Sequence, residues 1–221
     1  MQFSVIIPVY NEENIIRHQI QEIRSVLDAE IIVVDAGSTD ATRQIVKKEN
    51  VILIPSRKGR GLQFAEGVKN ASNDSLIFLH ADTRLPPDAS TKLTEFFLDD
   101  NKKIGAFTIK FEPTILILDL IARASRIDSL FTTYGDQCLF TRKDFYEKIG
   151  GFPDLPLFED VYILQKARKL AKVHKLRGPV ISSSRRFQEN GVIPQLALNT
   201  WLMLQYLRGV HPIELARRYL K

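Results

Sequence analysis

The sequence predicts an α/β protein with a mostly parallel central sheet flanked by helices and a helical tail at the C-terminus. Three observations carry that prediction. Short apolar runs alternate with amphipathic stretches through the first half of the chain, the spacing of a right-handed parallel α/β sheet. Residues 30–34 form a continuous apolar run that ends in Asp35, the pattern of a strand buried on both faces. Residues 194–207 and 212–220 read as two helices with no strand after them.

Taken in order, residues 3–8 are a first apolar strand. Residues 12–27 form a helix with Ile15, Ile16, Ile20, Ile23 and Leu27 on one face. After the strand at 30–34, a helix starts near Thr39, with Ser38 or Asp40 available as its cap. A strand at 51–54, a helix at 62–71 and a strand at 75–79 follow. Pro86 and Pro87 then open a helix that runs to about Asp99. The second half is less regular: a strand at 104–111, a long amphipathic helix at 114–131, and a short strand at 137–141. A helix at 142–149 is stopped by Gly150 and Gly151. Residues 158–170 read as helix, and 173–176 and 180–184 as two strands. No repeat or linker interrupts the chain. One domain over residues 1–221 is expected, with 1–100 as one functional half and 101–221 as the other.

The 221 residues are long enough to bury a sizeable core, and 44% hydrophobic with 26% charged residues is an ordinary globular balance. A net charge of +5 suits an anionic ligand or a membrane surface and is too weak to argue for nucleic acid. The lone cysteine, Cys138, excludes an intrachain disulfide and reads as a small buried residue. No leader is recognisable and no apolar stretch approaches the roughly 20 residues that span a bilayer. A cytoplasmic protein is expected, with peripheral contact at the inner face of the membrane as an open possibility for the segment at 196–207, flanked by Arg208, Arg217, Arg218 and Lys221.

Ligands of open parallel sheets bind beyond the carboxyl ends of the strands. Three such ends are polar: Pro8 to Glu12, Asp35 to Asp40, and His80 to Thr83. Asp35 reads either as a ligand for a base or ribose or as a turn residue. A dinucleotide site is disfavoured because PVYNEE, not G-x-G-x-x-G, follows the first strand. Asp82 is either a turn former or one carboxylate of a Mg²⁺ or Mn²⁺ site shared with phosphates. His80 reads as structural or as a metal-side group. Glu159 and Asp160 either charge a helix N-terminus or supply a general base and a neighbour that fixes the acceptor. Lys58, Arg60, Arg185 and Arg186 are solvated surface charges or a diphosphate clamp in loop-like surroundings.

Together these pieces resemble the family 2 glycosyltransferases of the GT-A fold, through VIIPVYNEE, EIIVVDAGSTDAT, LIFLHADTRLPP and FEDVYIL in that order across nearly the whole chain. SRKGRGLQFAEG, the stretch from YGDQC to PLFED, and SSSRRF are similar to a compact bacterial subgroup that lacks appended transmembrane helices. The resemblance implies an inverting, metal-assisted transfer from a UDP- or GDP-sugar to an unidentified hydroxyl acceptor. The helix at 114–131, with Ile115, Leu116, Leu118, Leu120 and Ile121, reads as plain core or as a groove for a lipid-linked or small apolar acceptor. The resemblance assigns Pro8, Tyr10, Glu12, Asp35, Gly37, Lys58, Arg60 and Ala81 to the nucleotide sugar. Asp82 goes to the cation, at the last position of the family's D-x-D, and Gly135, Asp136 and Gln137 to the acceptor. Asp160, Glu159 and Arg186 are the catalytic set, with Asp160 as base and Arg186 at the leaving diphosphate. The sequence departs from the family at His80, which replaces the first motif carboxylate, and at Phe187, which stands where an indole is usual. Two rivals are a nucleotidyltransferase, which would want a Gly-rich basic loop after the first strand, and a nucleotide-sugar-binding protein without turnover.

Overall fold

A computed structural model of the chain describes residues 2–219. Its first half follows the alternation read from the sequence: β1 (Phe3–Val9), α1 (Ile16–Val26), β2 (Ala29–Asp35), α2 (Thr42–Lys48), β3 (Ile52–Pro55), α3 (Arg60–Lys69) and β4 (Ser75–Phe78). A two-residue strand, β5 (Thr83–Arg84), precedes α4 (Ala89–Leu98). The second half contains β6 (Ile104–Glu112), α5 (Leu116–Ala124), a 3₁₀ turn at Gly135–Gln137, β7 (Leu139–Arg142), α6 (Lys143–Lys148), α7 (Glu159–Arg168) and β8 (Val173–Ser183). It ends with α8 (Arg185–Asn190), α9 (Val192–Leu207) and α10 (Pro212–Tyr219). Lys221 and the side chain of Arg218, both expected in a basic tail, lie outside the described residues.

Eight strands form one sheet in the order β3-β2-β1-β4-β7-β6-β8-β5. The first four are parallel, whereas β7 runs antiparallel to both of its neighbours and β5 antiparallel to β8. Alternate side chains of the central strands enter two separate cores, because successive residues of a strand face opposite sides of the sheet. Val5, Ile7, Ile31, Val33 and Ile77 pack under α1, α4 and α5. Ile6, Ile32, Val34, Leu76 and Phe78 pack under α3, α6 and α7 with Phe64, Tyr146 and Phe152. Both faces are dry, as the unbroken apolar runs demand. Helix α3 comes close to the sheet at Gly67, where a Cβ would meet Ile6 at 2.2 Å.

The second half corrects the sequence reading in four places. The helix expected over 114–131 ends at Ala124. There the Ser125 hydroxyl donates to the Ala122 carbonyl and accepts the Ile109 N–H, which ties the helix end to β6. The strand expected from 137 starts at Leu139, because the 3₁₀ turn and a positive φ of 53° at Cys138 precede it. The two strands at 173–176 and 180–184 are one strand, β8, interrupted by a bulge. Arg185 and Arg186, expected in a loop, open α8, and Arg60 is the first residue of α3.

Candidate active site

The carboxyl ends of β1 and β4, the start of α3, and the starts of α7 and α8 surround a cleft of about 390 Å³. Its first wall is made rigid by two loops bonded to each other. Asn11, with φ of 55°, donates its N–H to the Ser38 hydroxyl at 2.9 Å, and its side-chain oxygen accepts the Thr39 N–H at 2.9 Å. The Glu12 N–H donates to the Thr42 hydroxyl at 2.8 Å, the Glu13 N–H to Asp40 at 3.1 Å, and the Ala41 N–H to Glu13 at 2.8 Å. Local acceptors of this kind satisfy backbone N–H groups that no strand ladder reaches. The buried Gln63 amide then ties α3 to the sheet, donating to the carbonyls of Val9 and Val34 at 3.0 and 2.7 Å. Tyr10 and Glu12 are thereby fixed at the cleft.

The opposite wall is charged. Asp160 sits in the first turn of α7, where the Gly135 N–H reaches its Oδ2 at 2.7 Å and the Val161 N–H its Oδ1 at 2.8 Å. Arg60 donates from Nε to Glu159 at 2.7 Å. Burial alone would lower the Arg60 pKa, but Glu159, Asp160, Asp136 and Asp82 outweigh it and raise the value. Burial raises the Glu159 pKa, Arg60 pulls against it, and Asp160 adds to the rise. Asp136 is pushed up to about 7 by burial and by the Asp160 and Asp82 charges, and its Oδ1 has no hydrogen-bond partner among the described residues. Burial and the charges of Arg60 and Arg186 push His80 down to about 3. His80 therefore adds a neutral imidazole, not a cation, at neutral pH. Tyr134 is raised to about 12 by burial, Asp160 and Asp136, and keeps its phenolic proton.

The sequence-predicted residues divide cleanly. Pro8, Tyr10, Glu12, Arg60, Ala81, Asp82, Asp136, Asp160 and Arg186 all line the cleft. Six others do not, each for a visible reason. Asp35, 2% exposed, closes its own turn by accepting the N–H groups of Gly37 and Ser38 at 3.1 and 3.2 Å and pairs with Arg43 at 3.6 Å. Gly37 supplies the positive φ of 82° for that turn. Lys58 stands over the Tyr10 ring at 3.9 Å, a cation–π contact that stiffens the rim. Gly135 contributes its N–H to Asp160, and a Cβ there would press on Asp160 and on His80 at 3.1 and 3.3 Å. The Gln137 side chain is occupied by Lys175 and the Thr132 carbonyl. Glu159 turns away to hold Arg60. Residues not singled out for the site, Gln63, Phe111, Tyr134, Ser182 and Ser183, complete the lining. Tyr134 is visible as the aromatic before Gly135-Asp136 and Ser182 and Ser183 as the start of SSSRRF, but Phe111 at the end of β6 carries no motif.

Asp82 is exposed on the cleft wall, has no ion pair among the described residues, and lies near Glu12, whose pKa is raised by burial and then by the Asp82 charge. Among the described residues no group of three or more His, Cys, Asp or Glu side chains is placed to hold a metal. One or two carboxylates with further oxygens from phosphates and water is the set that Mg²⁺ and Mn²⁺ accept. The residues fit a cation shared with a phosphate ligand and do not fit a cage made by protein alone.

An open sheet with a polar cleft across its carboxyl strand ends, and carboxylates facing arginines, is an α/β ligand-binding architecture of the nucleotide-handling kind. The chain belongs to glycosyl transferase family 2, whose family model matches residues 4–145. It is 26% identical over 163 residues to the uncharacterized glycosyltransferase YkcC of Bacillus subtilis, covering 65% of this chain and 50% of that one. The chain spans half or less of the length of the curated relatives it matches. Among solved structures it is similar to residues 1–349 of TarS from S. aureus, with a TM-score of 0.68 and 20% identity over 83% of this chain and 61% of that one. TarS has also been solved with UDP-GlcNAc. Glucosyl-3-phosphoglycerate synthase of Mycobacterium tuberculosis, solved with Mn²⁺, UDP-glucose and phosphoglyceric acid, matches with a TM-score of 0.66 and 18% identity over 95% of this chain and 80% of that one. The fold is GT-A.

Proposed function

We propose that this chain is an inverting glycosyltransferase that moves a sugar from a UDP- or GDP-sugar to a hydroxyl acceptor with the help of Mg²⁺ or Mn²⁺. The observation that carries the reading is a single cleft in which Asp160 and Asp136 share the wall with Arg60 and Arg186, opposite Tyr10 and Glu12 on the stitched loops and Asp82 beyond β4. Family membership and the UDP-sugar complexes of structural neighbours support a nucleotide-sugar donor.

In this reading the base and ribose lie along Pro8, Tyr10 and Glu12, with the diphosphate toward Asp82, Arg60 and Arg186. A divalent cation held by Asp82 would supply positive charge to the diphosphate oxygens. Asp160 accepts the proton of the acceptor hydroxyl as that oxygen bonds to the anomeric carbon. The bond from that carbon to the diphosphate oxygen breaks on the opposite face, so configuration inverts. Arg60 and Arg186 take up the charge that develops on the leaving group, the kind of contribution that often dominates catalysis. Glu159 is a positioning residue for Arg60, and Tyr134 with Gly135 and Asp136 borders the acceptor side.

The test is release of free nucleoside diphosphate from a panel of UDP- and GDP-sugars, with Mn²⁺, with Mg²⁺ and with chelator. Cation-dependent release from at least one donor is expected. No release and no donor binding across the panel would overturn the reading.

A further inference from the structure

A second cavity, of about 450 Å³, lies away from the cleft, between α5 and the β6–β8 pair. It is built by the bulge in β8. Phe107 pairs with Leu176 and Ile109 with Val180, so Thr108 alone opposes Arg177, Gly178 and Pro179. These three residues, two more than the partner strand supplies, leave the ladder and become one wall of the cavity, with Gly178 at a φ of 97° and Pro179 needing no ladder partner. Lys110 from β6 and Arg123 and Arg126 from α5 and its end form the other walls. Four cations thus converge with one acid, Asp119. None of the four is ion-paired or hydrogen-bonded through its side chain among the described residues.

Helix α5 adds an independent observation. Leu118 and Ala122 face the core, and Asp119 and Arg123 face the cavity. The remaining arc carries Leu116, Ile117, Leu120 and Ile121, all exposed, with Leu116 at 78% and Leu120 at 57%. Ile127 and Phe131 in the following turns are also exposed, at 72% and 58%. A helix apolar on its solvent side as well as on its core side is out of place in water. Apolar side chains beside unpaired cations match the two layers of a bilayer surface, acyl chains below and anionic headgroups above.

We propose that α5, the turns after it and the bulge of β8 form a docking surface for an anionic lipid membrane. The apolar arc enters the acyl boundary and the cavity takes phosphate headgroups. The surface uses no residue of the catalytic cleft, so this inference does not rest on the transfer reading. The sequence alone points to the tail segment 196–207 for membrane contact. Helix α9 does turn Ile193, Trp201, Leu204 and Leu207 outward, but no comparable cavity of unpaired cations accompanies it among the described residues.

Flotation of the whole chain on vesicles tests the proposal. Binding is expected to a two-to-one mixture of phosphatidylcholine and phosphatidylglycerol, weakening with salt, and not to phosphatidylcholine alone. The variant R123E/R126E/R177E should lose at least about tenfold in partitioning, and Leu116→Ser with Leu120→Ser should lose it as well. Both should keep the wild-type melting temperature and donor turnover in solution. Equal flotation on neutral vesicles, or flotation untouched by charge reversal, would overturn the proposal. So would vesicle-independent stabilisation by inorganic phosphate that R177E abolishes, which marks a small-solute site. Self-association in sedimentation that Leu116→Ser abolishes, with no vesicle binding, would overturn it too.

Discussion

The two walls of the cleft are built by different means. The wall beside β1 and β2 is stitched by bonds between the two loops that leave these neighbouring strands, and its residues are close in sequence to the strands that carry them. The wall from α7, α8 and the 3₁₀ turn is assembled from separate elements: Gly135 reaches Asp160, Glu159 reaches Arg60 on α3, and Ser184 reaches the Pro113 carbonyl at 2.9 Å. Acidic groups stand on both walls. On the first Asp82 is exposed and Glu12 half-buried, while on the second Asp136 and Asp160 are half-buried and Glu159 is buried against the partly exposed Arg60. A rigid platform for one ligand therefore faces an electrostatically strained set of groups, which is where proton movement and charge neutralisation are worth most.

Removing a group from each wall should separate these roles. On the platform, Asp82→Ala should weaken cation-dependent binding of UDP or GDP by roughly 10²-fold, since the cation would keep only phosphate, water and weaker protein oxygens. Calorimetry in the presence of Mn²⁺ and of chelator reads this. Unchanged binding would remove the cation from that wall. On the charged wall, Asp136→Asn should act on stability with a pH signature. The Asp136 carboxyl is raised to about 7 in the folded protein, against about 3.9 for a free aspartate. Its contribution is complete below the lower value and is lost as pH rises through the higher one. The Asn variant should therefore melt a few degrees above wild type at about pH 8 and show no gain at about pH 4. Equal melting curves at both pH values would show that Asp136 is not under electrostatic strain.

Legibility in the sequence followed the same boundary. The parallel half could be read because β1, β2 and β4 are buried on both faces and announce themselves as apolar runs, and because Asn11, Ser38 and Asp40 are turn residues next to those runs. Glu12, Asp82, Asp160 and Arg186 could be placed because each sits in a recognisable motif, and the structure brings them to one cleft. The motif at Asp35 is legible too, but the hydrogen bonds its carboxylate accepts from the Gly37 and Ser38 N–H groups, and its position outside the cleft lining, are details that spacing cannot give. The partner of Glu159 is hidden because Arg60 lies on another helix, 99 positions away in the sequence. The bulge of β8 was read as a gap between two strands, since Gly178-Pro179 looks the same in a loop as in a looped-out strand. Helix α5 was overextended because the apolar period continues to Phe131, while the chain leaves the helix at Ser125 to bond with β6. The apolar residues past that point are exposed instead of buried, which is what brought the second surface into view.

The central claim is that Asp160 removes the acceptor proton while the opposite wall holds the donor. Its most direct measurement is paired donor binding and transfer by Asp160→Asn, with a donor that the wild-type protein hydrolyses. The account predicts donor affinity within a factor of about two of wild type and a rate lower by roughly 10²–10⁴-fold. A variant that turns over at the wild-type rate would contradict it.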